Sequence, residues 1–229
     1  MTVITMTREM GTLGKDVAAG VAEKLNLDVV HSELIARRVG ERLGIEESAA
    51  YRYLEGSSTQ MDRWRVGRRR FLQGTVKELI DLALQDNVII RGWGAAQLFN
   101  TIRDVACVRV CAPMEFRVDE MLNRLNSAAA EVSAPTNKMP EFIRSALFVS
   151  SDAARQEIEQ NDAAHAHFVT RTFATDWREP IHYDLVLNTG RTSVEECILQ
   201  ITRLLESTRY QNPDNLKVAL NARRAELED

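Results

Sequence analysis

The chain is poor in the features that would mark several protein classes. Its three cysteines, Cys107, Cys111 and Cys197, form an odd set without paired metal-ligand spacing. Cys107 and Cys111 are evenly spaced in "VACVRVCA", so both point to one side of a strand. Buried thiols in a reducing compartment are therefore expected, not a disulfide framework. Only 5 prolines and 11 glycines occur among 229 residues, which leaves no low-complexity or collagen-like stretch. No apolar run approaches the roughly 18 residues of a membrane-spanning helix. The start, "MTVITMTREM", lacks the basic region and long apolar core of a signal peptide and reads better as a strand. Positive charge is not in excess either. A net charge of −4 argues against an electrostatic nucleic-acid binder. With 45% hydrophobic and 27% charged residues, the chain has the proportions of an ordinary globular protein with a sizeable core. A cytoplasmic location, with no membrane and no nucleic-acid partner, is the expectation.

Five short apolar runs read as strands: "TVITM", "LDVVH" (27–31), "NVIIR" (87–91), "VACVRVC" (105–111) and "YDLVLN" (183–188). Each is rich in Val, Ile or Leu along its whole length, as in a sheet buried on both faces. Helical patterns alternate with them over 17–25, 33–43 with Ser32 as N-cap, 60–86 with breaks at Gly67 and Gly74, and 115–125. A last one spans 194–205, where Ser193 and Glu196 form a capping box. This alternation predicts a parallel sheet with helices on both faces. Residues 126–182 are far more than one crossover needs, and their helical content makes them a lid candidate. One domain over 1–209 is expected, followed by a helical tail over 210–229 that docks or forms an oligomer.

The stretch "TREMGTLGKDVA" (7–18) stands between the first strand and the first helix. In that place backbone N–H groups and the positive helix end can surround an anion. Gly11 and Gly14 would permit close approach or positive φ, and Lys15 and Arg8 would supply charge. The consensus G-x-x-x-x-G-K-[ST] is not met, because its first glycine is missing and Asp16 replaces the hydroxyl residue. A carboxylate there repels phosphate unless a metal ion lies between them. Phosphate binding and a plain strand–helix turn are both open on these residues alone. The run "DRWRVGRRR" adds Arg63, Arg65, Arg68, Arg69 and Arg70 beside Trp64, a polyanion guide or a solvated helical face. His167 and His182 form no catalytic or metal constellation.

Taken together, "VITMTREMGTLGKDVAAGVAEKLNLDVVHSELI", "NVIIRGWGAAQLF", "VRVCAPMEFRVDEML" and "NDAAHAHFVTRTFATDWREPIHYDLVLNTGRTSVEECILQI" resemble the cytidylate kinase-like family. That family is a branch of the P-loop nucleoside monophosphate kinases, and the likeness covers about residues 2–203. It implies an α/β three-layer P-loop kinase-like domain with a five-stranded parallel sheet and a helical lid. It also implies ATP and Mg2+ as cofactors and nucleotide substrates, CMP or dCMP as the acceptor. By the same resemblance, Gly11, Thr12, Gly14 and Lys15 meet the donor phosphates, with Arg8 assisting and Asn188 near the adenine. Lys15, Asp16 and Arg117 would be catalytic, Asp16 through the metal ion. Ser32, Arg91 and Trp93 would face the acceptor, and Arg155, Asp162, His165 and Arg171 would belong to the lid. Two family arginines are replaced, by Trp93 in "RGWGA" and by His165 in "DAAH". A neutral imidazole lacks the permanent charge and fixed fork of a guanidinium. A non-catalytic nucleotide sensor and a kinase of another small acceptor therefore stand beside the kinase reading.

Overall fold

The computed structural model describes residues 2–54, 67–85, 87–92, 94–133 and 149–226. Trp93 and the Arg63–Arg65 part of the basic run lie outside them. Five parallel strands form one sheet: β1 (Val3–Arg8), β2 (Asp28–Val30), β3 (Val88–Arg91), β4 (Ala106–Cys111) and β5 (Leu185–Asn188). Their order is β2-β3-β1-β4-β5. Alternate residues of each strand point to opposite faces, and both faces are covered. Ile4, Met6, Ile89, Val108 and Val110 pack against Val17, Ala18 and Val21 of α1 (Gly14–Leu25) and Ile201 of α8 (Val194–Leu205). On the other face, Val3, Val88, Ile90 and Cys107 meet α2 (Ser32–Leu43), α3 (Glu47–Leu54), α4 (Arg68–Leu84) and α5 (Ala95–Phe99). This double burial is why the central strands β3, β1 and β4 read as predominantly apolar runs. The chain crosses from β3 to β4 over β1, so the strand order reverses there. Ligands of open α/β sheets settle at that crevice, beyond the carboxyl ends of the strands.

Three local expectations change. Backbone geometry stays extended through His31, whose carbonyl accepts from the Ile35 N–H, so α2 begins at Ser32 and His31 holds the cap position. Gly74 does not break α4, which runs through it; a side chain there would press on Leu43, so the glycine lets α2 and α4 close together. The 115–125 pattern is part of a longer helix, α6 (Met114–Ser133). The Ser193 cap is present, its hydroxyl accepting from the Glu196 N–H at 3.2 Å. The excursion after β4 consists, in its described part, of the end of α6 and of α7 (Ser151–Phe173). Val118, Ala154 and Ile158 join these two helices, and Phe173 covers Gly94 after β3.

The final helix, α9 (Pro213–Ala225), is capped by Asn212, which accepts from the Asn215 N–H at 3.2 Å. Leu216 and Leu220 lie one turn apart and are buried in the domain's own core, and Arg224 reaches Asp81 of α4 at 3.3 Å. Leu220→Ala is expected to lower unfolding free energy by about 2–5 kcal/mol, measured by urea denaturation. A loss below about 0.5 kcal/mol would contradict the docking of α9.

Candidate functional site

The loop between β1 and α1 is built on internal bonds. Gly11 has φ +81°, and a Cβ there would collide with the backbone carbonyl of Arg117, so its glycine serves close packing on α6. The Thr12 hydroxyl is buried and donates to the Glu9 carbonyl at 2.7 Å, while the Thr189 hydroxyl donates to the Thr12 carbonyl at 2.7 Å. Leu13 takes a left-handed conformation (φ 53°) and hands the chain to α1. Gly14 and Lys15 then open a helix whose first amides have no intrahelical partner.

Four cations gather around this opening. Arg8, the last residue of β1, lies along Gly14: a Cβ on Gly14 would sit 2.9 Å from the Arg8 Cβ and 3.1 Å from its Cδ. Lys15 is exposed beside it. Arg91 ends β3 and contacts His31 Nδ1 at 2.6 Å, leaving its own Nε buried without a partner among the described residues. Arg124 comes from α6 and pairs with Asp16. Burial, then Arg91 and Arg124, lower the Arg8 pKa to about 10. Burial, followed by Arg8, Arg91 and Arg124, also lowers that of Lys15. His31 is lowered by burial and then by Arg91. Glu33 opposes these shifts, acting on Arg8, Lys15, Arg91 and His31 alike. Mutual repulsion of this kind is relieved by an anion with several oxygens.

A second polar cluster lies behind the loop. Arg117 is 4% exposed. Its Nε donates to the Met10 carbonyl at 2.7 Å, and its two terminal nitrogens donate to both oxygens of Asp162 at 2.8 Å. Glu9 lies 3.6 Å from Arg117 and accepts from Arg109 at 2.6 Å. Arg109 also stands over the Trp177 ring at 5.2 Å, and His165 stacks on Trp177 with ring centroids 4.4 Å apart. Burial first, and then Arg8 and Arg109, depress the His165 pKa to about 4 against the pull of Asp162.

The residues singled out in the sequence thus divide. Arg8, Gly14, Lys15, Asp16 and Arg91 meet at the opening. Gly11 and the Thr12 hydroxyl hold the loop together instead. Arg117, expected at the reacting centre, is engaged with Asp162 and the loop, and His165 packs on Trp177. Arg155 forms an exposed pair with Glu115 at 3.3 Å, and Arg171 is exposed in the last turn of α7. Asn188 accepts from the Gly190 N–H at 3.0 Å as a turn residue after β5. Sequence reasoning missed Arg124 in the opening, and Glu9, Arg109 and Trp177 behind it. Arg124 had a signal: it lies two helical turns beyond Arg117, on the same face.

Phosphate fits this donor set. The metal ion has one carboxylate at the opening, Asp16, engaged by Arg124. Among the described residues no group of three His, Cys, Asp or Glu side chains could hold a metal ion. Magnesium in kinase sites needs only one or two carboxylates, with phosphates and water completing its shell, so Asp16 suffices if Arg124 yields. No helix of the described residues is long and apolar enough to cross a membrane.

The chain belongs to the cytidylate kinase-like family, whose model matches residues 3–191. Membership supports a nucleotide kinase without fixing the acceptor. Among solved structures, an uncharacterized protein from Eubacterium ventriosum ATCC 27560 is similar, with a TM-score of 0.64 at 13% identity over 90% of this chain and 99% of that one. Shikimate kinase from Bacteroides thetaiotaomicron gives a TM-score of 0.49 at 17% identity, over 90% and 99%. At 13% identity the likeness to the Eubacterium ventriosum protein concerns the fold alone. No curated protein matches the chain.

The half-buried His165, whose Nε2 is buried without a partner among the described residues, makes stability depend on pH. Above about pH 6.5 His165 is neutral whether the chain is folded or not. Below it the unfolded chain binds a proton that the folded one refuses, so stability falls as pH drops from about 6.5 to about 4. The loss is expected to reach about 3 kcal/mol. In His165→Phe, which keeps a ring on Trp177, that part of the slope should vanish from urea unfolding curves. An unchanged slope would place the titration elsewhere.

Proposed function

We propose that this protein is a nucleotide kinase that transfers the γ-phosphoryl group of ATP to a nucleoside monophosphate, with CMP and dCMP the first acceptors to test. The observation that carries the reading is the convergence of Arg8, Lys15, Arg91 and Arg124 at the start of α1, where Asp16 and Glu33 are the carboxylates that face them among the described residues. Phosphoryl transfer asks a protein for positioning and for charge around the phosphoryl oxygens rather than for covalent chemistry. Lys15 and the first amides of α1 would hold the donor phosphates. Magnesium-bound ATP would supply the phosphoryl group, with part of its charge neutralised by the metal ion. Asp16 would meet that metal ion as Arg124 turns from the carboxylate to the phosphates. Arg117 would be a positioning residue that fixes the loop and α7, not one that touches the substrate.

A second reading, a non-catalytic nucleotide sensor, is favoured by one observation. Arg117, a catalytic position by the resemblance, and His165, a lid position by it, are both engaged in the cluster behind the loop. Incubation with ATP-Mg and a panel of nucleoside monophosphates, following ADP and diphosphate products, separates the two. Turnover of CMP or dCMP is expected, reduced about 100-fold or more in Lys15→Ala. ATP binding by calorimetry with no monophosphate turned over would favour the sensor. Absence of nucleotide binding at millimolar concentration would contradict both.

A further inference from the structure

We propose that Thr189 is a positioning residue of the phosphate loop, whose hydroxyl holds the Thr12–Leu13 peptide so that the Leu13 amide faces a bound phosphate. That this phosphate belongs to a nucleotide rests on the kinase reading above; the hold of Thr189 on the loop does not.

The loop's carbonyls are tied down one after another. The Glu9 carbonyl accepts from the Thr12 hydroxyl and the Met10 carbonyl from Arg117 Nε, each at 2.7 Å. The Leu13 carbonyl accepts from the amides of Asp16 at 2.9 Å and Val17 at 3.1 Å. The Thr12 carbonyl lies one residue ahead of that helical acceptor and is held by Thr189, 177 residues away in the chain, at 2.7 Å. Thr189 is buried just beyond β5, and its own amide donates to the Cys111 carbonyl at 3.0 Å. Cys111 is thus served by the amide. The single hydroxyl proton goes to Thr12 rather than to the Cys111 carbonyl 3.4 Å away. By contrast, the amides of Leu13, Gly14 and Lys15 make no hydrogen bond among the described residues. Bound carbonyls and unbound amides give the loop the one-sided polarity of an anion nest.

One peptide group connects the bound carbonyl to the first of the free amides. A trans peptide carries its carbonyl and the next N–H on opposite sides. With the Thr12 carbonyl fixed on Thr189, the Leu13 N–H points away from Thr189 and joins the amides that open α1. Leu13 resists this arrangement, because its φ of 53° is left-handed and crowds its Cβ against the backbone. Turning the Thr12–Leu13 peptide over would return the φ of Leu13 to the ordinary negative range. It would also bring the Thr12 carbonyl round to the side that the amide had faced, where its oxygen would repel phosphate. The Thr189 hydroxyl therefore selects the strained, anion-accepting orientation over the relaxed, anion-repelling one.

Calorimetry and amide NMR on the full chain test this role with Thr189→Val, which keeps the shape, Thr189→Ala, which cannot crowd the loop, and Thr189→Ser, which keeps the hydroxyl. The probes are magnesium-free ATP and inorganic tripolyphosphate, which carries no base. Thr189→Val and Thr189→Ala should each weaken both probes about tenfold or more. Both should also move the Leu13 and Gly14 amide resonances of the ligand-free protein. Thr189→Ser should return both affinities to within about threefold of wild type. A loss of stability with unchanged tripolyphosphate affinity would make Thr189 a packing residue and overturn its positioning role. So would weakening of ATP alone, a serine that fails to rescue, or no binding of tripolyphosphate to wild type. Weakened ATP and tripolyphosphate in the variants, without turnover of any monophosphate by wild type, would sink the kinase reading and leave the role of Thr189 standing. Turnover by wild type with unaltered affinities in Thr189→Val would do the reverse.

Discussion

The Arg117 guanidinium joins three segments that are far apart in the chain. It donates to the Met10 carbonyl in the loop, and to both carboxylate oxygens of Asp162 on α7, from its own place on α6. Hydrogen bonds to charged groups are worth about 1.5–3 kcal/mol each, and a buried guanidinium left unpaired is far costlier than an exposed one. The loop, α6 and α7 are therefore fixed together or not at all. Gly11 completes the junction, since only a residue without a Cβ lets the loop lie on the Arg117 backbone carbonyl. Glu9 extends it to the sheet through Arg109 and the Ala112 amide.

On that base stands an arrangement that folding alone would not favour. Burial first, and then repulsion from the neighbouring cations (Arg91 and Arg124 on Arg8; Arg8, Arg91 and Arg124 on Lys15), lowers the pKa values of Arg8 and Lys15. A protein tolerates such a cluster when the surrounding structure over-determines it. Here the two layers of apolar packing across the sheet provide that support. The repulsion opposes the ligand-free state and would be relieved by a bound anion, so in the proposed function the same charges that weaken the fold would strengthen phosphate capture. Asp16 and Arg124 pair with each other; in the proposed reaction a metal ion would meet Asp16 as Arg124 turned to the phosphates.

Much of this was legible in the residues. Strands buried on both faces are predominantly apolar along their length, so "VITM", "VII" and "VACVRV" announced a covered parallel sheet, with Arg109 the charged exception that Glu9 pairs. "REMGTLGKD" announced the strand–helix turn where an anion could sit. The division of labour within the turn was hidden, because it depends on distant partners. Nothing near Gly11 or Thr12 in sequence shows that α6 and Thr189 press on the loop. Arg117 fits a reacting-centre arginine by motif, yet Asp162, 45 residues away, takes both of its terminal nitrogens. His165 looked like a weakened arginine, whereas its neutral ring packs on Trp177, a partner from the loop after α7. Arg124 was readable from helical spacing once Arg117 had been noticed.

The central claim is that the positive cluster at the start of α1 is held ready for phosphate. It is tested most directly by the titration of Lys15 itself, followed by NMR with isotope-labelled lysine side chains and assigned with Lys15→Arg. In the ligand-free protein the Lys15 pKa should lie below the ordinary lysine value of 10.5, because its ammonium is partly desolvated and Arg8, Arg91 and Arg124 add repulsion. Addition of magnesium-free ATP should raise it, since phosphate oxygens reverse the local field. An ordinary value that nucleotide leaves unchanged would contradict the claim.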